Sequence, residues 1–176
     1  MSSAAAFSAP EHLKAEHDLN AFDCGTPELA AWLKRRALQN EALGTSRTHV
    51  VTAEERVVGF SAPANGAVAH KDVSAKTRRN MPDPIPVMVL ARLAVDKAYQ
   101  RQGLGSALLR DALLRTLGAS QIAGIRAVLL HAMSEDAKRL YEKAGFYECP
   151  VDPMMMITVA EVEKNLAPSD SPRAPE

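Results

Sequence analysis

The run Leu93-Ala94-Val95-Asp96-Lys97-Ala98-Tyr99-Gln100-Arg101-Gln102-Gly103-Leu104-Gly105-Ser106 constrains this chain more than any other part of it. An apolar strand passes through a short polar turn into a helix whose first residues are punctuated by glycine. The first amides of a helix lack intrahelical partners and carry the positive end of its dipole, so an anion placed there collects several N–H donors. A Cβ at Gly103 or Gly105 would hold such an anion off the backbone. A Walker loop would end in Gly-Lys-Ser/Thr, and a dinucleotide fold would need Gly-x-Gly-x-x-Gly with an acid about 20 positions later. Neither is present, and the turn is expected to hold a pyrophosphate of another kind.

Around this turn the apolar pattern changes period in an order that sets the class. Val87 to Val95 is a β-branched run, and Gly103 to Leu117 is an apolar helix closed by Gly118. Arg126 to Leu130 is a second buried strand. Ser134 then caps a helix through Lys143 and Ala144 that Gly145 ends before Phe146 opens another strand. Strand, helix, strand, helix, strand is an α/β arrangement, whose ligands bind beyond the carboxyl ends of parallel strands. Upstream, Thr26-Pro27-Glu28 starts a helix with Leu29, Trp32, Leu33 and Ala37 on one face, Lys34, Arg35 and Arg36 on the other, and Gly44 at its end. Residues 47–53 and 56–64, joined by Glu54-Glu55, predict an antiparallel hairpin that bends or ends at Pro63 and Asn65-Gly66. Lys71 to Pro86 carries Lys71, Lys76, Arg78 and Arg79 and then Pro82, Pro84 and Pro86, and reads as an exposed, partly mobile loop. Met154 to Ile157 adds a last strand and Val159 to Leu166 a weak helix. Residues 1–9 and 167–176 are rich in Ala, Ser and Pro, and are expected to be flexible ends around one domain spanning 10–166.

The 21 basic and 21 acidic residues cancel, so a polyanionic partner would have to be held by local patches. Cys24 and Cys149 are too few for a disulfide framework or a zinc site, and no metal is expected. No apolar run approaches the roughly 18 residues needed to span a bilayer, and no basic, apolar leader is present. These features predict a cytoplasmic protein with reduced thiols and no membrane partner.

Two motifs together resemble the GNAT N-acetyltransferase family. Gln100-x-x-Gly103-x-Gly105 is similar to its acetyl-coenzyme A signature, and Ala137-Lys138-Arg139-Leu140-Tyr141-Glu142-Lys143-Ala144-Gly145-Phe146 to its closing helix, in which a tyrosine precedes Gly-Phe. The resemblance implies a mixed twisted sheet of six to seven strands flanked by helices, with two central parallel strands splaying into a V. It implies acetyl-CoA as co-substrate. Leu93, Ala94 and Val95 would meet the pantetheine arm and thioester, and Gln100, Arg101, Gln102, Gly103, Gly105 and Ser106 the pyrophosphate, with Ser134 beside them on the next helix. Acyl transfer from thioester to amine needs a neutral nucleophile, oxyanion stabilisation and a proton for the thiolate. The resemblance assigns that proton to Tyr141. No general base stands out, since His131, Glu135 and Glu142 read equally well as strand-end or helix-face polar groups.

Phe22-Asp23-Cys24-Gly25 ahead of Trp32-Leu33, Leu90 to Asp96, and Gly118-Ala119-Ser120 extend the likeness, over roughly residues 10 to 166, to the TacT-like toxins of type II toxin–antitoxin systems. In that group the acceptor is the free α-amine of aminoacyl-tRNA, whose acetylation stops translation, and the partner is a ribbon-helix-helix antitoxin. A homodimer is equally compatible. Lys34, Arg35, Arg78, Arg79 and Arg92 are the candidate tRNA contacts, although each also fits a solvated surface. Arg92 leads them because it interrupts an apolar strand. Gly59-Phe60-Ser61 stands where such toxins show Gly-Tyr-Tyr, so a thinner aromatic wall is expected at the acceptor pocket. The same motifs also fit an acetyltransferase for a small amine or protein N-terminus, or a CoA-binding module without catalysis.

Overall fold

One mixed sheet organises the chain, which a computed structural model describes over residues 6–166. Its strands are β1 (Glu11–His12), β2 (His49–Ala53), β3 (Arg56–Val68), β4 (Ile85–Val95), β5 (Ala127–His131), β6 (Tyr147–Glu148) and β7 (Met154–Thr158). They lie in the order β1-β2-β3-β4-β5-β7-β6, antiparallel throughout except for the central pair β4 and β5. This is the α/β fold with a mixed sheet that the sequence resemblance implied.

The central pair separates partway along. β4 and β5 are in register only from Val87 with Ala127 to Val89 with Leu129, while β4 runs on to Val95 against β3 alone. At the point of separation Ala62 faces Arg92 and Pro63 faces Leu90, so Ala91 is an extra residue without a partner. Such a bulge bends and twists its strand. It also exchanges faces: Leu90 packs with Leu109 and Leu113 on one side of the sheet, whereas Ala94 packs with Leu33 and Phe60 on the other. The V between the two parallel strands therefore opens where the strand kinks.

Helices cover both faces. α4 (Leu104–Ser120) buries Leu104, Leu108, Leu109, Ala112, Leu113 and Thr116, a stripe at helical spacing, and is joined on its face by α5 (Glu135–Lys143) and α6 (Val159–Leu166). The other face carries α1 (Pro27–Trp32) and α2 (Leu38–Leu43), linked by a π-helical turn over Leu33–Ala37 whose Leu33 and Ala37 are fully buried. Gly44 closes α2 at φ 72°. The short α3 (Ala75–Arg78) covers the far end of this face.

Several local expectations are corrected. Of the two alternatives expected at Pro63 and Asn65-Gly66, β3 bends at the Ala62/Pro63 register shift and does not end, reaching Val68. Pro63 sits at the register shift, and a Cβ on Gly66 would lie 2.7 Å from Val89 Cγ2, so the glycine admits close strand packing. Gly118 does not end α4, which continues to Ser120 with ordinary helical geometry. Residues 71–86 are not a plain loop. Ser74 Oγ caps α3, His70 Nε2 donates to the carbonyls of Met81 (3.0 Å) and Pro82 (2.7 Å), and Val73 and Ile85 are buried. At the N-terminus, Phe7 bridges to Ala53 and Ser8 exchanges hydrogen bonds with Thr52. Residues 1–5 and the C-terminal tail 167–176 lie outside the described residues.

One packing detail makes the fold acid-sensitive. His49 is 4% exposed beneath α4, its Nδ1 is without a hydrogen-bond partner among the described residues, and its ring lies 4.7 Å from that of His12. Burial, aided by the charges of Arg115 and His12, pushes its pKa from 6.5 to about 4. Between those values the unfolded chain binds a proton that the folded chain refuses, so stability falls as pH drops through this window. Urea unfolding should lose stability on acidification, approaching about 3 kcal/mol from this residue by pH 4. His49→Gln should flatten the slope, and an identical slope in the variant would refute the assignment.

Candidate functional site

The turn between β4 and α4 is built from the inside. Asp96 accepts from the amides of Ala98 (2.9 Å) and Asp23 (3.1 Å) and from Arg56 Nη2 (3.1 Å). The Lys97 amide donates to Asp23 O at 2.8 Å. The Gln100 side chain donates to Val95 O (2.9 Å) and Cys24 O (3.4 Å). Gln100 thus braces the turn through its side chain. Arg101 (φ 63°) and Gly103 (φ 85°) both adopt the left-handed conformation, and Gly103 caps α4 without a side-chain hydrogen bond. The first intrahelical bond is Ala107 N–H to Gly103 O, which leaves the amides of Leu104, Gly105 and Ser106 without intrahelical partners. Gly105 is informative. Its φ is not left-handed, and a Cβ there would meet only Leu140 Cδ2 at 3.5 Å and Val95 Cγ2 at 4.0 Å, both ordinary contacts. Packing does not demand the glycine, so the space left above the amides fits a ligand pressed against them.

A cleft of about 620 Å³ runs from this turn along the open edge of β4. Leu93, Ala94, Val95, Gln100, Arg101, Gly103, Gly105 and Ser106 line one side, and Ala137, Leu140, Tyr141 and Lys143 of α5 the other. Cys24, Thr26 and Leu29 close its rim. Because Asp96 N–H donates to Val58 O, Gly59 and Val95 form a non-hydrogen-bonded pair. By alternation the backbone of Ala94 faces β3, while that of Leu93 and Val95 faces the V. The expectation that Ala94 offers its amide to the ligand is therefore corrected. Leu93 N–H and C=O and Val95 N–H are the groups turned toward the cleft, Val95 O being occupied by Gln100.

Two more expected residues lie off the cleft wall. Gln102 is exposed and does not line it. Ser134 is committed to capping α5, accepting from the Ala137 amide at 3.1 Å, and borders a separate cavity of about 560 Å³ with Met133, Glu148 and Cys149.

Tyr141 is brought into the cleft by the way α5 ends. Its carbonyl accepts from the amides of Ala144 (3.0 Å) and Phe146 (3.1 Å) around Gly145 at φ 100°, and its ring packs 5.8 Å from Phe146. The side chain is buried, and burial raises its pKa above the usual phenol value. The phenol is fully protonated at neutral pH. His131, Glu135 and Glu142 are all exposed.

The basic residues do not form one patch. The Arg92 guanidinium lies 4.1 Å from the Trp32 ring, which stacks on Phe60 at 6.0 Å and 15°, and burial pulls its pKa down. Phe60 is fully buried, so Trp32, not the Phe60-Ser61 pair, presents the aromatic surface here. Lys34 and Lys97 share Asp23 as a neighbour at the cleft mouth, Lys97 Nζ at 3.2 Å from it. Arg35 and Arg36 are exposed on the same helical stretch. Arg78, which donates to His70 O, and Arg79 belong instead to the segment leading into Ile85, at the opposite end of β4 from Val95. Among the described residues no group of His, Cys, Asp or Glu is gathered as for a metal ion, and no helix is long and apolar enough to cross a membrane.

Residues 44–148 match the model of the acetyltransferase (GNAT) domain. Over 151 residues, covering 86% of this chain and 91% of the relative, the sequence is 45% identical to a tRNA-acetylating toxin of Mycobacterium tuberculosis. The structure of AtaT complexed with acetyl-methionyl-tRNAfMet is similar with a TM-score of 0.82 at 24% identity, over 90% of this chain and 98% of that one. A tyrosine-to-phenylalanine mutant of AtaT, bound to the C-terminus of the antitoxin AtaR and acetyl-CoA, gives a TM-score of 0.78 at 23% identity over 93% and 99% of the two chains.

Proposed function

The chain belongs to the GNAT acetyltransferase family, and from that premise we propose that it is a toxin moving acetyl from acetyl-CoA to the free α-amino group of aminoacyl-tRNA, blocking translation. The observation that carries the reaction is that the amide-lined turn, the free edge of β4 and the Tyr141 phenol border one cleft. The acceptor class is supported by the 45% likeness to a tRNA-acetylating toxin. A ribbon-helix-helix antitoxin and a homodimeric form belong to the same reading.

Acetyl-CoA supplies a thioester, a carbonyl already activated toward amines. The amides at the start of α4, with Arg101 beside them, hold the pyrophosphate. Leu93 and Val95 hold the pantetheine arm by adding it to β4 like a further strand, and their amides point where a developing oxyanion would gather charge. The neutral amine attacks the carbonyl carbon; as the C–N bond forms and the C–S bond breaks, the amine proton passes to water. Tyr141 gives its phenolic proton to the departing thiolate and recovers one from solvent. An aminoacyl ester amine is less basic than a lysine, so enough is neutral without a dedicated base. Arg92, held over the Trp32 ring, and Lys34 and Arg35 meet the phosphates of the acceptor, with Arg78 and Arg79 serving a more distant part of it.

Incubation with labelled acetyl-CoA and bulk charged tRNA tests this directly. Label should enter the aminoacyl moiety, leave with it on mild ester hydrolysis, fall with rising salt, and be absent when the amine is blocked beforehand. Preferential labelling of polyamines or peptide N-termini would replace the acceptor, and tight acetyl-CoA binding without transfer to any amine would remove the activity. A second check uses Gly105→Ala. Its unfolding free energy should rise, by up to about 1 kcal/mol of helix propensity, while acetyl-CoA affinity drops severalfold; affinity unchanged in calorimetry would mean nothing presses on those amides.

A further inference from the structure

The two faces of the sheet give the two substrates separate approaches. α4 and α5 lie on one face and bring the amide-lined turn and Tyr141 to the cleft, so the donor enters from that side. The cleft also passes through the V, because Leu29 and Ala94, which pack on the α1 face, line it as well. With the donor filling its own side, an amine reaches the thioester from the α1 face.

Three groups read equally well in the sequence as proton acceptors, and their faces separate them. Glu135 and Glu142 belong to α5, on the donor side. His131 ends β5, and its paired residue Met154 packs in one layer with Leu129, Val87 and Val73, on the face where Arg92 meets Trp32. β4 and β5 are last in register at Val89 and Leu129, and the bulge at Ala91 adds one residue to β4. His131 and Leu93 therefore differ by about one residue rise, roughly 3 Å, along the strands. His131 is also the uncommitted histidine of the five. His12 and His17 meet Glu41 and Glu11, His70 meets the carbonyls of Met81 and Pro82, and His49 is buried under α4. The His131 ring is exposed and makes no side-chain hydrogen bond among the described residues.

We propose that His131 is the final acceptor of the amine proton. The inference rests on aminoacyl-tRNA acetylation as the reaction. The attacking amine is already neutral, but bonding to the carbonyl carbon makes its nitrogen cationic and its proton acidic. One water takes that proton and passes it to an imidazole nitrogen of His131, while Tyr141 protonates the departing thiolate. The imidazolium then returns its proton to solvent. The two proton transfers thus take place on opposite faces of the sheet.

Steady-state kinetics of the full chain with saturating acetyl-CoA and purified charged tRNA test this. H131A should lose about 10²-fold in kcat, the lower end of the range for a positioned base, because solvent can stand in for it. KM for the charged tRNA and affinity for acetyl-CoA should stay within about threefold, the melting temperature should hold, and added imidazole should recover about tenfold of the lost rate. E135Q and E142Q should keep the wild-type kcat. A kcat for H131A within about threefold of wild type, a loss confined to KM, or a deficit that imidazole does not relieve would each overturn the role of His131 and leave the acceptor assignment standing. A wild-type chain that acetylates no charged tRNA would overturn that assignment instead.

Discussion

Tyr141→Phe should lower kcat for aminoacyl-tRNA acetylation by about 10²- to 10⁴-fold, the usual contribution of a positioned general acid. The affinity for acetyl-CoA should change by less than about twofold, because removal of one oxygen leaves the ring against Phe146 and the hydrogen bonds around Gly145 intact. The same packing keeps the stability within about 1 kcal/mol of wild type. Loss confined to kcat distinguishes a proton donor from a packing residue, which would lose stability or cofactor affinity as well. Expression of the variant should also cease to arrest growth. A variant that retains kcat within tenfold, with saturating acetyl-CoA and a purified charged tRNA, sinks the general-acid role. The direction of the pKa sharpens this, since burial raises the phenol above its ordinary value and keeps the proton in place at neutral pH.

What the sequence disclosed about this site follows from locality. Gly103, Gly105 and the apolar runs on either side act within a few residues of one another, so spacing alone predicts a strand, an amide-rich turn and a helix there. Tyr141 entered through the family resemblance, which its contiguous run with Gly145 and Phe146 carries; spacing alone reads it as a core residue of an amphipathic helix. The features that spacing does not carry are those made between distant segments. Ala91 becomes a bulge only because Pro63, from a strand about 30 positions earlier, disrupts the register opposite it. Gln100 reads as part of a phosphate signature, yet its side chain is spent on Val95 O and on Cys24 O, 76 residues away. Arg92 reads as a cation that interrupts an apolar strand, and only the fold supplies the Trp32 ring beneath it. Gly118 has the composition of a helix stop, but the packing of α4 carries the helix past it. The segment 71–86 has loop composition, and is ordered by single contacts from His70, Val73 and Ile85 that no periodicity announces.

Asp96 is where the fold and the site depend on one another most, and Asp96→Ala should destabilise the protein by about 3 kcal/mol in urea unfolding. The carboxylate is 2% exposed and is shared by three segments: the Asp23 amide before α1, the Arg56 guanidinium at the start of β3, and the Ala98 amide in the turn itself. Its removal leaves two amides without their acceptor and a half-buried guanidinium without its counter-ion, although Arg56 retains contact with solvent and with the Tyr99 ring, which keeps the loss below that of a fully buried pair. Asp96→Asn keeps an acceptor and forfeits the charge, so it should fall between wild type and alanine. Because the same carboxylate fixes the turn against the 23–25 segment, acetyl-CoA affinity should decline in the order wild type, Asn, Ala, whereas Tyr141→Phe leaves it unchanged. Were Asp96→Ala to cost less than about 1 kcal/mol, the turn would have to be held by Gln100 and the Lys97 amide alone, and the cofactor cleft would then owe its shape to the backbone conformation of Arg101 and Gly103 and not to the buried ion pair behind it.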